Sequence, residues 1–519
     1  MSKLLVPADP LLLNGYLTRN ALRFPDKIAL AQQDRSVTFA QLEDRVNRLA
    51  NAMRALGVQQ GDPVSMLMYN NIEQVECMLA AIRLGAIATP VNFRLTVEEI
   101  TRILSDVQPG MVVTEPELGA AALAAGNAAG SVKTYVMVDG NGSEVISGVV
   151  KYSDLLAGAS PDPVIVDINP QDAAFILHTS GTTGSPKGAM LGHAGCVINS
   201  LNVIARLRIS DTSEWRHLGV PLFHSGGVNT VMQQLVLGGS TFISESATFD
   251  PRDIVDVFEK HSIATAFLTP TQWQQVCAVP GLGARKLALR RLVWGTSHTP
   301  PDVLRAMSES FAGVPIFAQF GQTEMSGTTC TLDAEFAATK LGSVGRPLGH
   351  VQLRLVDEGM ADVAPGEVGE VVYQGPSVMR GYWRNEAATA DAFRGGWFHS
   401  GDLARYDEDG FLFVVDRLKD MIISGGENIY CLEVETALRS HPKVADVVVV
   451  GVPHNKWVET PHAVIVPTVP TDGPTLSELQ EFLKSRLASY KKPTSLQLVD
   501  ALPRNSLGKV LRKSLRLPG

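Results

Sequence analysis

An apolar run that reads as a strand, Phe175-Ile-Leu-His-Thr-Ser-Gly-Thr-Thr-Gly-Ser-Pro-Lys-Gly-Ala-Met190, passes into hydroxylated and glycine residues and closes on Lys187. Exposed backbone N–H groups, the hydroxyls of Thr179, Ser180, Thr182 and Thr183, the glycines Gly181 and Gly184, and one ammonium suit a polyphosphate. The run is not a Walker A loop, which needs four residues between Gly and Gly-Lys and a helix immediately after. Here Pro186 precedes the lysine and Gly188 to Leu191 reads as extended, which argues against a kinase or motor ATPase. An ordinary Gly/Ser/Thr surface loop is the alternative for this composition taken alone.

Further along, Gln319-Phe-Gly-Gln-Thr-Glu324 offers a ring at Phe320 to stack on a purine, a hydroxyl at Thr323 for phosphate, and a carboxylate at Glu324 for magnesium. Magnesium is an oxygen-seeking ion that takes few protein ligands. A strand end with a buried phenylalanine is the plain alternative. Asp402 follows a glycine at a predicted turn, where a carboxylate can accept both ribose hydroxyls or simply cap the turn. Lys509, in a Ser-Leu-Gly-Lys turn near the C-terminus, is on local grounds an ordinary solvated charge.

With Trp397-Phe-His-Ser-Gly-Asp-Leu403, Asp416-Arg-Leu-Lys-Asp420, Ser424-Gly-Gly-Glu-Asn428 and Pro503-Arg-Asn-Ser-Leu-Gly-Lys509, these segments resemble, in order and spacing, the adenylate-forming enzymes. That superfamily contains the acyl-CoA synthetases, the 4-coumarate-CoA ligases, firefly luciferase and the adenylation domains of peptide synthetases. The resemblance covers nearly the whole chain. It implies a ligase that joins a carboxylate to ATP as acyl-AMP with release of pyrophosphate, then passes the acyl group to CoA. ATP, Mg2+ and CoA are the implied cofactor and co-substrates, and a small-molecule carboxylic acid the implied substrate.

The resemblance also implies roles. Thr179 to Lys187 forms the phosphate loop, and Gln319, Phe320, Gly321, Gln322, Thr323 and Glu324 serve nucleotide and metal, with Thr323 and Glu324 taking part in catalysis. Asp402 and Arg417 hold the ribose, and Asn428 belongs to the nucleotide set. Gly295-Thr296-Ser297 sits where relatives usually show Gly-Gly-Ala against the adenine, a partial match. Lys509 bridges the substrate carboxylate and the α-phosphate as pyrophosphate leaves, neutralising charge in a cleft between domains. Lys419 is the hinge about which a small domain swings. That swing brings Ser424, Gly425 and Gly426 toward the adenylate, where the glycines leave a channel for a pantetheine arm. Trp457-Val458-Glu459 departs from the pattern, since relatives usually have glycine between the tryptophan and the acid.

Pro221-Leu-Phe-His-Ser-Gly-Gly-Val228 resembles the acyl-CoA synthetase form of a motif in which peptide-synthetase domains carry an aspartate for an amino group. An ammonium buried without a counter-charge is costly, so an amino-acid substrate is disfavoured. His224 and Ser225 are placed at the acyl pocket, a core histidine at a turn being the alternative. Thr269-Pro270-Thr271, Gly295-Thr296, Gly321 and Met325-Ser326-Gly327 are the other expected walls, small or apolar and without a cation that would demand a dicarboxylate. The expectation is a medium- to long-chain fatty acid, with an aromatic, 4-coumarate-like acid as the alternative. A non-catalytic lipid-binding protein is the alternative of another class.

The elements that must position these residues read as α/β. Leu42, Val46, Leu49, Met53 and Leu56 recur at helical spacing, with Thr38 and Gln41 as a capping box and Gly57 as terminator. Apolar runs at Val64 to Met68 and Ile87 to Val91 flank a second helical pattern, Ile72 to Leu84, closed by Gly85. Such alternation implies a large N-terminal domain of α/β layers with mostly parallel sheets. The Ala/Gly-rich stretch Gly119 to Gly130 reads as a surface helix or loop. After residues 1–416 and a hinge at 417–419, residues 420–519 restart with a short helix, strands at Val444 to Val450 and Ala463 to Val466, and a helix capped by Thr475 and Glu478. This is a small mobile α+β domain.

A chain of 519 residues, 45% hydrophobic and 19% charged, exceeds what one core usually holds. Its net charge of -8 supplies no basic excess, so nucleic acid is not an expected partner. Five cysteines without paired spacing suggest neither a disulfide framework nor a zinc site. The N-terminal stretch lacks the pattern of a signal peptide or membrane span, and a cytoplasmic setting is expected. Transient membrane contact and a homodimer are both compatible with the sequence.

Overall fold

The computed structural model describes residues 9–139, 148–179, 186–296, 299, 301–425, 427–504 and 510–515. Of the site residues read from the sequence, Ser180, Gly181, Thr182, Thr183, Gly184, Ser297, Gly426 and Lys509 lie outside them. The chain folds into two compact units. The first holds residues up to 341 with 345–352 and 374–394, and the second holds 342–344, 353–373 and 395 onward.

The first unit is built on two sheets. A seven-stranded sheet runs Val149–Lys151, Thr134–Met137, Met111–Thr114, Pro63–Leu67, Ile87–Pro90, Ala173–Thr179 and Lys187–Gly192 in spatial order, parallel except at the last pair. A nine-stranded sheet has a parallel centre that includes Ser240–Ile243, Trp215–Leu218, Ile263–Leu268, Arg291–Gly295 and Ile316–Gln322. Antiparallel strands Gly327–Leu332 and Arg346–Pro347 extend it beyond Ile316–Gln322. Pro63–Leu67 and Ile263–Leu268 are buried at every position. Helices cover both faces of such a sheet, which is why these strands read as continuous apolar runs.

Local signals set the helices. Phe39–Ala55 begins with the reciprocal Thr38 and Gln41 capping box and is followed by Gly57 at φ +93°. Ile72–Arg83 is capped by Asn71, whose side chain accepts from the Gln74 N–H, and gives way to Gly85 at φ +68°. The Ala/Gly stretch takes the helical of the two expected forms and is exposed at Ala120, Ala124 and Asn127. It lies within the helix Pro116–Ala129, whose Leu118, Ala122 and Ala125 are buried in one cluster with Ile100, Ile103 and Leu104. Small residues allow this close approach: a Cβ on Gly126 would come within 2.4 Å of the Tyr135 hydroxyl.

The second unit carries an antiparallel sheet of Gln352–Val356, Gly369–Gln374, Phe398–Tyr406 and Leu412–Arg417. It also carries the long hairpin Val444–His454 with Val458–Pro467, flanked by Ile422–Ser424 and Ser495–Leu498. Cys431–Arg439 and Leu476–Phe482 supply its helices, the latter with the Thr475 and Glu478 capping box. Val434, Leu438, Val447, Val449, Ile465 and Leu479 form its core. The layers are those expected, a large α/β body with mostly parallel sheets and a smaller α+β part. Among the described residues no helix is long and apolar enough to cross a membrane. All five cysteines are free thiols, four of them buried.

Candidate active site

The expected phosphate loop leaves the strand Ala173–Thr179 and returns as the antiparallel strand Lys187–Gly192, which pairs Thr179 with Lys187. The extended return, with no helix after the lysine, removes the Walker A geometry. Among the described residues the Lys187 ammonium has no carboxylate partner and instead lies 5.0 Å above the ring centroid of Tyr382. The Thr179 hydroxyl donates to Glu324 Oε1 at 3.2 Å, joining residues 145 apart in the chain. The Tyr382 hydroxyl donates to the same oxygen at 3.1 Å. Glu324 is buried, and no described protein donor reaches its Oε2.

Strand Ile316–Gln322 carries the second motif to its C-terminal end, beside Arg291–Gly295. Ligand crevices of open α/β sheets lie at such strand ends. Glycines make the approach feasible: a Cβ on Gly321 would sit 1.9 Å from the Gly327 carbonyl oxygen, and one on Gly295 2.5 Å from that of Gln319. The amide nitrogens of Gln319 and Gln322 are buried without a protein acceptor, leaving donors for a ligand. Thr296, in the partial Gly-Gly-Ala match, adopts φ +76°. A β-branched residue there is strained, and glycine, which relatives usually carry, is not.

His224 precedes the helix Ser225–Leu237 and opens its first turn, its own N–H bonding the Pro221 carbonyl at 3.1 Å. The Ser225 and Thr323 hydroxyls meet at 3.5 Å, so the acyl motif and the nucleotide motif adjoin. The helix is locked there by Asn229, whose amide donates to the Ser326 carbonyl at 2.9 Å. Burial pushes the His224 imidazole down to about 3, and the Arg94 charge adds to the shift. The ring is therefore neutral at ordinary pH. The Arg94 charge acts on His224 while its guanidinium donates to the Ser246 carbonyl at 3.0 Å. An aromatic series ends on the same histidine. Tyr69 meets Phe93 at 4.7 Å, Phe93 meets Phe223 at 5.2 Å, and Phe223 meets His224 at 4.4 Å between ring centroids. Of the other expected walls, Thr269 is engaged as a helix cap with Gln272, and Met325 and Ser326 are fully buried.

In the second unit Asp402 lies inside the strand Phe398–Tyr406, not at the predicted turn, where a kink follows from Gly401 at φ +69°. Asp402 is buried opposite Arg417 and pairs with its Nε at 3.1 Å. Lys419 is exposed in the turn 418–420. Asp416 is buried, accepts from the Arg417 and Cys431 N–H groups, and is pushed up to about 6 by burial. Gly425, at φ +60°, donates its N–H to the Trp457 carbonyl at 2.9 Å and lies against the Trp457 ring. Asn428 is exposed on the short strand Glu427–Ile429. Val458, where relatives usually have glycine, is 71% exposed and held at φ +71°.

Residues 17–383 match the model of the AMP-binding enzyme family, and residues 433–509 match that of the AMP-binding enzyme C-terminal domain. The chain belongs to the AMP-binding enzyme family. It is 37% identical to a feruloyl-CoA synthase from Amycolatopsis sp, over 97% of this chain and 98% of that one. It is 36% identical to an indoleacetate–CoA ligase from Aromatoleum aromaticum, over 97% of each chain. The o-succinylbenzoate CoA synthetase from Bacillus subtilis, solved with the acyl-adenylate intermediate OSB-AMP, superposes with a TM-score of 0.84 at 30% identity, covering 97% of this chain and 98% of that one. The same synthetase has been solved with ATP and a magnesium ion, and in that form it matches with a TM-score of 0.83 at 30% identity over 96% and 98% of the two chains.

As an AMP-binding enzyme the chain is an acid–thiol ligase that draws on ATP, Mg2+ and CoA. Its residues fit the metal: Glu324 anchors one carboxylate oxygen on two hydroxyls and leaves the other to a cation. Among the described residues no group of three or more His, Cys, Asp and Glu side chains could hold a metal. That suits an ion carried mainly by phosphate oxygens and water. Tyr382, Arg94 and Asn229 escaped the sequence reading. Their neighbours at the site come from distant strands, and only the Gly381-Tyr382-Trp383 cluster of aromatics offered any local signal.

Proposed function

We propose that this AMP-binding enzyme is a CoA ligase for an aromatic carboxylic acid. The observation that carries the reading is the series Tyr69, Phe93, Phe223 and His224, which ends beside the Ser225 and Thr323 hydroxyls. Rings set edge to face and tilted favour a flat acid by edge and face contacts. The names of the feruloyl, succinylbenzoate and indoleacetate enzymes support the same class in place of the expected medium- to long-chain fatty acid.

In this reading Lys187, Thr179 and the loop between them cradle the phosphates, Gln319 and Gln322 donate to the nucleotide, and Asp402 with Arg417 holds the ribose. Gly295, Thr296 and Ser297 border the adenine with Phe320 and Gly321, and Asn428 completes the nucleotide set. Mg2+ on Glu324 supplies charge neutralisation for departing pyrophosphate. Thr323 steadies the α-phosphate and Lys509 neutralises the attacking carboxylate. His224, neutral, orients the acid without adding charge. Lys419 is the hinge between residues 1–416 and a mobile domain of residues 420–519, and Gly425 and Gly426 border the pantetheine path. The work is done in the cytoplasm, where the free thiols stay reduced.

The test is pyrophosphate release from the purified protein with ATP and Mg2+ over cinnamate-type, arylacetic and benzoic acids and fatty acids of increasing length, with and without CoA, beside Lys509→Ala. Release that is fastest with an aromatic acid, collapses in the variant and yields thioester with CoA supports the reading. Fastest release with a fatty acid restores the lipid substrate. Binding of acids with no release at all points to a carrier without chemistry, and release of phosphate in place of pyrophosphate to a hydrolase.

A further inference from the structure

Tyr382 stands outside every motif singled out in the sequence, yet two groups of the nucleotide site meet on it. Residues 380–383 run along the outer edge of the strand Lys187–Gly192. Arg380 N–H donates to the Met190 carbonyl at 2.9 Å, Met190 N–H to Gly381 at 3.0 Å, and Trp383 N–H to Gly188 at 2.7 Å. This pairing sets Tyr382 opposite Ala189 and brings its ring under the Lys187 ammonium, 5.0 Å from the centroid. The hydroxyl reaches Glu324 Oε1 at 3.1 Å. The same segment fixes the Glu324 main chain, since Met379 N–H donates to the Glu324 carbonyl at 2.7 Å.

We propose that Tyr382 is a positioning residue with two separable tasks. Its hydroxyl pins one oxygen of Glu324 and leaves the other for the magnesium that accompanies ATP. Its ring holds the Lys187 ammonium where the phosphates bind. The inference rests on the reading of Glu324 and Lys187 as metal and phosphate groups.

The two tasks predict different losses in two variants, measured by calorimetric titration of the full chain with ATP, in the presence and absence of Mg2+ and without any acid. Y382F keeps the ring and loses the donor. It should bind metal-free ATP as wild type does and MgATP about tenfold more weakly, the loss of a hydrogen bond to a charged acceptor. Y382L loses both and should also bind metal-free ATP about three- to fivefold more weakly, the scale of a cation–π contact. Y382F retains the packing of the ring, so the hydroxyl's task is read from that variant alone and the ring's task from the further loss in Y382L. Wild-type MgATP affinity in Y382F, or equal losses with and without metal, overturns the inference. Absence of acid-dependent pyrophosphate release in the wild type would instead overturn the underlying reading, which keeps the two failures apart.

Discussion

Val458→Gly tests how backbone strain bears on the thioester step. A non-glycine residue in the left-handed region costs about 1–2 kcal/mol, and Val458 sits there at φ +71°. Glycine removes that cost but adds freedom to the unfolded chain, worth about 0.4–1 kcal/mol in the opposite sense. Because the side chain is 71% exposed, little burial is lost, about 0.4–0.9 kcal/mol on the scale of a fully buried valine. The three contributions nearly cancel, so the unfolding free energy should change by less than about 1 kcal/mol. Kinetics should be less neutral. Val458 follows Trp457, whose carbonyl receives the Gly425 N–H at 2.9 Å, and Val458 pairs across the sheet with Ser424. Relaxing residue 458 therefore reaches the glycine segment assigned to the pantetheine path. A strain of about 1.4 kcal/mol corresponds to about tenfold in rate. Rapid-quench measurement of the two half-reactions should show thioester formation changed by up to about tenfold, with adenylation within about twofold. Equal shifts in both rates refute the link to the glycine segment, and a stability loss above about 2 kcal/mol refutes the strain itself.

Two further outcomes follow from close packing and from buried histidine. Gly321→Ala places a methyl 1.9 Å from the Gly327 carbonyl oxygen, a backbone atom that cannot rotate away. It should cost about 3 kcal/mol or more and abolish pyrophosphate release; a melting temperature within a degree or two of wild type would contradict the close approach. His217 is fully buried, bonds Ser244 Oγ at 2.8 Å, and is pushed down to about 3 by burial. Between pH 6.5 and about 3 the unfolded chain binds a proton there that the folded one does not, so this residue's contribution to stability falls as pH falls. Glu115, pushed up to about 7 by burial, acts in the opposite sense, but it is common to wild type and variant and cancels in their difference. Denaturant titrations should find the stability gap between wild type and His217→Gln narrowing by about 1.4 kcal/mol per pH unit below pH 6. A constant gap from pH 7 to pH 5 would show that His217 is protonated in both states or in neither.

Local order was legible in the residues themselves. The Thr38 and Gln41 box, Gly57 and Gly85 bound their helices because capping hydrogen bonds span three or four residues and depend on little else. The extended return at Lys187 and the capped helix Leu476–Phe482 were legible for the same reason. The run Gln319 to Glu324 could be read as one motif because its residues are contiguous, on the end of one strand and the turn after it. The buried face of the helix Pro116–Ala129 was not, since its low hydrophobic bulk hides a face whose smallness is what lets Tyr135 in.

What tertiary structure alone decided is which of these segments touch. Glu324 receives hydroxyls from Thr179, 145 residues away, and from Tyr382, 58 away. Arg94 bears on His224, and Asn229 locks the turn at Ser326. Sheet register and the edge pairing of residues 380–383 make these meetings, and register is chosen by burial over whole strands, which no short window records. The left-handed Thr296 and Val458 are the same lesson at a single residue. The sequence determined that β-branched side chains stand there; only the folded backbone, held by its neighbours, imposed a conformation those side chains resist.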